Sequence, residues 1–214
     1  MLNLSDAELV KRLQKGDTEA VGVLLEQYAN RLYNYAFYRC SDHYLAEDIV
    51  SETFARIVEK INSYEQREVP FKAWVFRIAH NRLANHLRYR SRHYSVSLDA
   101  VNEDGERLLD PPDDWGAADG GLMASHIAER EELRHAIMAL SEDQKAVFVL
   151  RFIEGLDLEE VATSLEKSIA SIKSLQYRAV VNLRRTLEQA KEIEAAKTSL
   201  GKKLMPFSSR GKGL

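Results

Sequence analysis

Cysteine, proline and long apolar runs are scarce in this chain of 214 residues. The single cysteine, Cys40, excludes an internal disulfide framework and a multi-cysteine metal site, and we interpret it as a packing residue. Only four prolines occur, and the long stretches between them favour helix over a β-sandwich or barrel. No apolar run approaches the roughly 18 residues of a membrane helix, and the N-terminus does not resemble a signal peptide. We therefore expect a cytoplasmic, all-α protein without a membrane segment.

The net charge of −3 hides a strong segregation of charge along the chain. Residues 72–98 contain six Lys or Arg and no acid, and residues 167–187 contain five and no acid. Between them, residues 99–119 hold eight acids against one Arg. Two basic helical surfaces would suit a polyanion such as nucleic acid. Two solvated helix faces would produce the same pattern, so charge alone leaves both interpretations open.

The acidic segment also marks the expected domain boundary. Residues 102–121 contain four glycines and two prolines, a composition typical of a flexible linker. We predict two small helical domains, an N-terminal bundle and a C-terminal helix-turn-helix, joined by this acidic linker. The boundaries are 1–95 for the first domain, 96–125 for the linker, 126–190 for the second domain and 191–214 for a basic tail.

Capping residues and apolar spacing predict the N-terminal helices. Ser5 and Glu8 fit a capping box, and Asp17 can cap a second helix. Apolar residues recur at helical spacing from about residue 45 to 61 and again from about 71 to 90. The polar face of this last helix is rich in Arg and Asn.

The C-terminal half predicts a helix-turn-helix. Ser141 with Gln144 and Asp157 with Glu160 fit two capping boxes, a helix stops near Gly155, and Ser168 can cap a final helix. A short helix, a tight turn and a longer helix with exposed donors form the layout of this DNA-binding motif. Many helical hairpins share this layout without binding DNA.

Several motifs occur in an order typical of one family. They are residues 46–54 (Ala-Glu-Asp-Ile-Val-Ser-Glu-Thr-Phe), 71–81 (Phe-Lys-Ala-Trp-Val-Phe-Arg-Ile-Ala-His-Asn), 159–162 (Glu-Glu-Val-Ala) and 172–174 (Ile-Lys-Ser). Together they resemble the bacterial RNA polymerase sigma factors of the extracytoplasmic-function (ECF) group. The resemblance covers roughly residues 5–92 and 130–188.

The resemblance implies a polymerase interface and a minus-ten interface in the first domain. The acidic helix would dock on the clamp helices of the polymerase large subunit, through Glu47, Asp48, Glu52 and Phe54. Asn81 matches the position that contacts a flipped base of the melted minus-ten element. The remaining predicted contacts to this element are Arg77, Arg82, Asn85, Arg88 and Tyr64.

In the second domain, the resemblance implies contacts to the minus-thirty-five element in the major groove. The predicted residues are Ser171, Lys173, Ser174, Tyr177 and Arg178. Glu166 stands where the family commonly has a turn glycine. The resemblance also implies promoter DNA, the polymerase core and an anti-sigma factor as partners, and transcription initiation without catalysis by the chain itself.

Competing functions are an isolated helix-turn-helix regulator that reads only duplex DNA, an enzyme acting on nucleic acid, and a protein-interaction module. A glycine-rich phosphate loop and metal-ligand spacing are both missing from the sequence, so we expect no cofactor and no metal. For His80, His86 and His93 we predict surface or nucleic-acid roles. The basic, aromatic segment 71–94 favours a protein that handles unpaired bases over a duplex-only regulator.

Overall fold

The computed structural model describes residues 4–65, 69–94 and 131–203, and every regular element within these ranges is helical. The helices are α1 (Asp6–Gln14), α2 (Thr18–Cys40), α3 (His43–Lys60), α4 (Phe71–Tyr94), α5 (131–138), α6 (Glu142–Phe148), α7 (Leu158–Leu165) and α8 (Ile169–Lys203). A 3₁₀ turn follows α3 at Ile61–Ser63, and a π-helical segment follows α6 at Val149–Ile153. The all-α prediction is confirmed. The predicted linker and the tail beyond Lys203 lie outside the described residues.

The predicted capping residues begin most of these helices. Ser5 accepts from the Glu8 amide at 3.3 Å, and Asp17 accepts from the Glu19 amide at 3.0 Å. Asp157 and Glu160 form a complete capping box with bonds of 2.7 and 2.8 Å. Ser141 is the residue before α6, but its side chain makes no capping bond, so that predicted box is wrong.

The N-terminal bundle packs α2, α3 and α4 around a shared apolar interior. Its largest fully buried side chains include Tyr35 of α2, Ile49 and Ile57 of α3, and Phe76 and Leu83 of α4. The pair in α3 is eight residues apart and the pair in α4 seven, which keeps each pair on one side of its helix. The opposite sides of α3 and α4 are therefore left for charged residues.

The two halves of the chain pack against each other, and their buried residues form one continuous cluster. Helix α7 lies against the start of α4, where the buried Ser164 hydroxyl donates to the Ala73 carbonyl at 3.1 Å. Arg31 of α2 contacts Glu154 at 3.1 Å, and Lys72 donates to the Gly155 carbonyl at 3.1 Å. We call this set of contacts the interdomain contact.

A buried polar network adjoins the interdomain contact. Arg39 donates to the Tyr35 hydroxyl at 2.7 Å and contacts Glu142 of α6 at 3.3 Å, and both Arg39 and Tyr35 lie next to the His80 Nδ1. Burial, reinforced by the Arg39 charge, lowers the pKa of His80 to about 4. The half-buried imidazole is thus neutral at physiological pH and is held by Tyr35 and Arg39, which favours a packing role over the predicted surface role.

Candidate nucleic-acid interface

One open cleft of about 460 Å³ lies between α3 and α4. Its lining residues come from the end of α3, the following turn and the polar face of α4: Arg56, Lys60, Ser63, Trp74, Arg77, Ile78, Asn81, Arg82 and Asn85. We call it the basic cleft. It brings together four of the predicted minus-ten residues, namely Arg77, Asn81, Arg82 and Asn85.

The helical repeat explains why α4 forms one wall of the cleft. Each of positions 74, 77, 78, 81, 82 and 85 lies three or four residues from another member of the set, which places them on one face of the helix. Asn81 and Asn85 are exposed, whereas Arg77 and Arg82 are half-buried. The exposed amides can therefore reach a ligand, while the arginine stems pack along the helix surface.

The 3₁₀ turn that follows α3 forms part of the cleft wall opposite α4, and hydrogen bonds fix its position. The Ser63 hydroxyl donates to the Lys60 carbonyl at 2.8 Å. The Gln14 amide donates to the carbonyls of Ile61 and Tyr64, both at 3.0 Å. The Ser63 bond satisfies a carbonyl that the end of α3 leaves without a helical partner, and the two Gln14 bonds fix the turn against α1.

The chemistry of the basic cleft suits a nucleotide that has left a duplex. Among its lining residues, four are cationic and none is acidic. Trp74 and Ile78 supply apolar surface, and the Asn81 amide offers a donor and an acceptor to a base edge. Unpaired strands are bound by this combination of cations for the backbone and apolar or aromatic surface for the bases.

Two predicted minus-ten residues lie elsewhere. Tyr64 is 6% exposed, its ring packs against Phe71 and Trp74, and its hydroxyl donates to the Val69 carbonyl at 2.6 Å. Burial raises the pKa of Tyr64 to about 12. Its prediction as a strand contact is corrected to a structural role beneath the cleft. Arg88 is exposed beyond the cleft and donates to the Asn85 side chain at 2.9 Å.

Sequence reasoning missed Arg56, Lys60 and Ser63 as residues of the cleft. Arg56 and Lys60 are four residues apart, so they share a face of α3. That spacing is visible in the sequence, but the acidic residues of the same helix favour a protein interface. Only the packing of α3 against α4 places this face opposite Asn81.

The three carboxylates of α3 that were predicted to contact polymerase divide into two groups. Glu47 and Asp48 are exposed. Glu52 is half-buried between two residues of α4, with its carboxylate 3.0 Å from the His86 Nε2 and 3.8 Å from Arg82. Phe54 is 9% exposed and belongs to the apolar interior, so its prediction as a surface contact is corrected.

Helices α7 and α8 form the second candidate surface. The turn between them contains Glu166 in the left-handed conformation (φ 53°, ψ 42°), which keeps a glycine-type turn without glycine. Ser168 accepts from the Ser171 amide at 3.2 Å and caps α8. The predicted groove-facing residues Lys173, Ser174, Tyr177 and Arg178 are all exposed, and Ser171 is half-buried.

The described residues offer no group of His, Cys, Asp or Glu side chains that could hold a metal ion. In the same ranges, no helix has the length and apolar character needed to cross a membrane.

Comparisons with known proteins match both parts of the chain to one family. Family models described as Sigma-70 region 2 and Sigma-70, region 4 match residues 24–93 and 130–185. The ECF RNA polymerase sigma-E factor of Haemophilus influenzae is 30% identical over 184 residues, with 82% of this chain and 92% of that relative covered. The ECF RNA polymerase sigma factor BldN of Streptomyces coelicolor is 34% identical over 180 residues, and the match covers 84% of this chain but 65% of BldN, just under two thirds of its length. Among solved structures, the sigma factor RpoE from Bartonella quintana, crystallised with the anti-sigma factor NepR, gives a TM-score of 0.62 at 26% identity and covers 78% of this chain and 96% of that one.

Proposed function

The chain belongs to the ECF group of RNA polymerase sigma factors, and on that premise we propose that it binds the polymerase core and directs promoter recognition, DNA melting and transcription initiation. The first domain, residues 1–95, would bind the core and the minus-ten element. The second domain, residues 126–190, would bind the minus-thirty-five element. The chain would act in the cytoplasm, where polymerase and chromosome meet, and would supply no catalysis of its own.

The basic cleft is the observation that supports this proposal best. A regulator that reads only duplex DNA needs donors that reach base edges in a groove, and α8 alone would satisfy that need. Such a regulator does not need a second, cationic cleft that is lined by apolar side chains and exposed amides. A protein that captures a base from melted DNA needs such a cleft, because the base must be held out of the stack.

The exposed carboxylates Glu47 and Asp48 suit the polar rim of a protein interface. We propose that this end of α3 docks on the clamp helices of the polymerase large subunit. On α8, Lys173, Ser174, Tyr177 and Arg178 would enter the major groove, with Ser171 near the backbone.

The interdomain contact must open for both elements to be bound at once. The names of the two elements place them roughly 25 base pairs apart, which is about 85 Å of duplex at about 3.4 Å per pair. In the structure, α7 contacts both α4 and α8. The two helices that would read DNA, α4 and α8, are therefore separated only by α7, which is about 10 Å across. We propose that binding to polymerase separates these two helices, and that an anti-sigma factor bound to the chain prevents this separation.

Run-off transcription tests the proposed function. The purified chain is added to bacterial core polymerase with a genomic library, and start sites are mapped by sequencing. New start sites with a shared upstream sequence are expected. If the chain neither binds core nor changes the start sites, but still retains a duplex fragment by itself, it is a helix-turn-helix regulator instead.

A further inference from the structure

One residue of α1 ties the basic cleft to a helix that does not form it. Gln14 is the last residue of α1 and does not line the cleft. Its side-chain amide donates to the main-chain carbonyls of Ile61 and Tyr64, both at 3.0 Å, across 47 and 50 positions of the chain. The Ile61 carbonyl also accepts from the Tyr64 amide at 3.1 Å, and this bond closes the 3₁₀ turn by itself. The Gln14 bonds therefore determine where the turn lies relative to α1, and its local shape does not depend on them.

The junction between α1 and α2 holds Gln14 in place. The Arg12 guanidinium lies 2.6 Å from Asp17 and 3.3 Å from Glu19, at the start of α2. The amides of Gly16 and Asp17 donate back to carbonyls of α1 at 3.0 and 3.1 Å. Helix α1 also packs against α2, α4 and the 3₁₀ turn. Because several contacts fix the end of α1, the Gln14 amide has a defined position from which to hold the turn.

Tyr64 connects the position of the turn to the apolar side of the cleft. Its buried ring packs on Trp74 with the ring centroids 4.9 Å apart, and its hydroxyl donates to the Val69 carbonyl at 2.6 Å. A close-packed ring of this kind cannot shift without moving its neighbours. Ser63, the residue before Tyr64, lines the cleft, and so does Trp74. A displaced turn would therefore change the cleft at Ser63 and at Trp74 together.

We propose that Gln14 is a positioning residue that sets the base selectivity of the basic cleft. The assignment rests on the proposed function. A site that distinguishes one base from another must hold its walls to within about 0.5 Å, and the Gln14 bonds fix the turn that carries Ser63. Binding of the strand as such depends on the cations of the cleft, whose charge attracts phosphates without exact placement. Loss of the Gln14 bonds should thus reduce selectivity far more than affinity.

The test measures base preference with the full chain assembled with core polymerase. The promoter is one mapped by run-off transcription, prepared as fluorescent bubbles that carry each of the four bases at each unpaired minus-ten position. Gln14→Met keeps the length of the side chain and removes its amide donors. At the position read by the cleft, we expect the affinity ratio between the preferred base and the others to fall about fivefold. Affinity for a minus-thirty-five duplex and for core polymerase should not change.

Two further variants control for the lost hydrogen bonds and for the side chain itself. Gln27→Met removes a bond of the same kind, from the Gln27 amide to the Leu4 carbonyl at 3.0 Å, and Gln27 does not line the cleft. This variant should keep the base preference of wild type. Gln14→Lys restores N–H donors on a long side chain and should also keep it, since the added charge acts equally on all four probes. Thermal melts by circular dichroism establish that each variant is folded.

The outcomes separate this assignment from the proposed function. If wild type opens promoters and Gln14→Met keeps the full base preference, the assignment is wrong and the function stands. An equal loss of affinity for all four bases, or the same loss of preference in Gln27→Met, would also overturn it, because Gln14 would then only stabilise the fold. A loss of core binding would assign Gln14 to the polymerase interface instead. If wild type itself never redirects polymerase, the assignment and the proposed function both fail.

Discussion

We predict that Glu154 makes the interdomain contact sensitive to pH. Its side chain is 3% exposed, and its carboxylate lies 3.1 Å from the Arg31 guanidinium, which also donates to the Glu154 carbonyl at 2.8 Å. Burial outweighs the opposing charges of Arg31 and Lys72 and raises the pKa of Glu154 from 4.5 to about 7. When the two halves separate, this carboxyl meets water and its pKa returns towards its ordinary value.

The direction of the pH effect follows from proton binding. The closed arrangement holds the Glu154 proton more tightly than the open one, so acid favours the closed arrangement. The contribution of Glu154 to the stability of the closed arrangement is complete below about pH 4.5 and declines until the pH passes about 7. A difference between 4.5 and about 7 corresponds to roughly 3 kcal/mol, enough to change the ratio of closed to open molecules by about a hundredfold.

Small-angle X-ray scattering measures this change directly. We expect the radius of gyration of wild type to increase as the pH rises from 5.5 to 8. Glu154→Gln replaces the carboxyl with a neutral amide of the same shape, so it should stay compact at pH 8 and lose most of the dependence. His80 also lies near this contact, but burial lowers its pKa to about 4, so it stays neutral in this range.

Two results would refute this reasoning. A radius of gyration in wild type that does not change with pH would show that Glu154 does not control the contact. The same pH dependence in wild type and Glu154→Gln would assign the effect to another group.

Four further predictions concern the interfaces and the turn. Asn81→Ala should reduce promoter opening about tenfold in a permanganate footprint, because a base loses its hydrogen-bonding partner, while affinity for core polymerase stays unchanged. Asp48→Lys should weaken core binding in fluorescence anisotropy, most strongly at low salt; unchanged affinity would remove this residue from the interface. Arg178→Ala should cost about 1–3 kcal/mol of binding to a minus-thirty-five duplex if it contacts a base pair through two hydrogen bonds, and an equal loss on unrelated duplexes would assign it to the backbone. Glu166→Gly should raise the free energy of unfolding in urea by about 0.5–1 kcal/mol, because it relieves a left-handed residue and loses some of that gain to chain entropy.

The local features of this protein follow from its sequence alone. Helix starts at Ser5, Asp17 and Asp157 were predictable because a capping side chain bonds to an amide only two or three residues away. The cationic face of α4 was predictable for the same reason, since a helical repeat needs no knowledge of the rest of the fold. The helix end near Gly155 was predictable from a local signal too, because glycine readily adopts a positive φ such as the +65° found there.

What the tertiary structure alone decided concerns residues far apart in the chain. Tyr64 and Phe54 look like surface contacts in a motif, but packing among α3, α4 and the turn between them buries both. Arg56 and Lys60 line the basic cleft only because α3 packs against α4. Glu154 acquired its raised pKa because packing buries it, against the opposing charges of Arg31 and Lys72, which lie 123 and 82 positions away in the chain. Burial and long-range charge depend on how helices pack, and the repeat of a single helix contains no information about its neighbours.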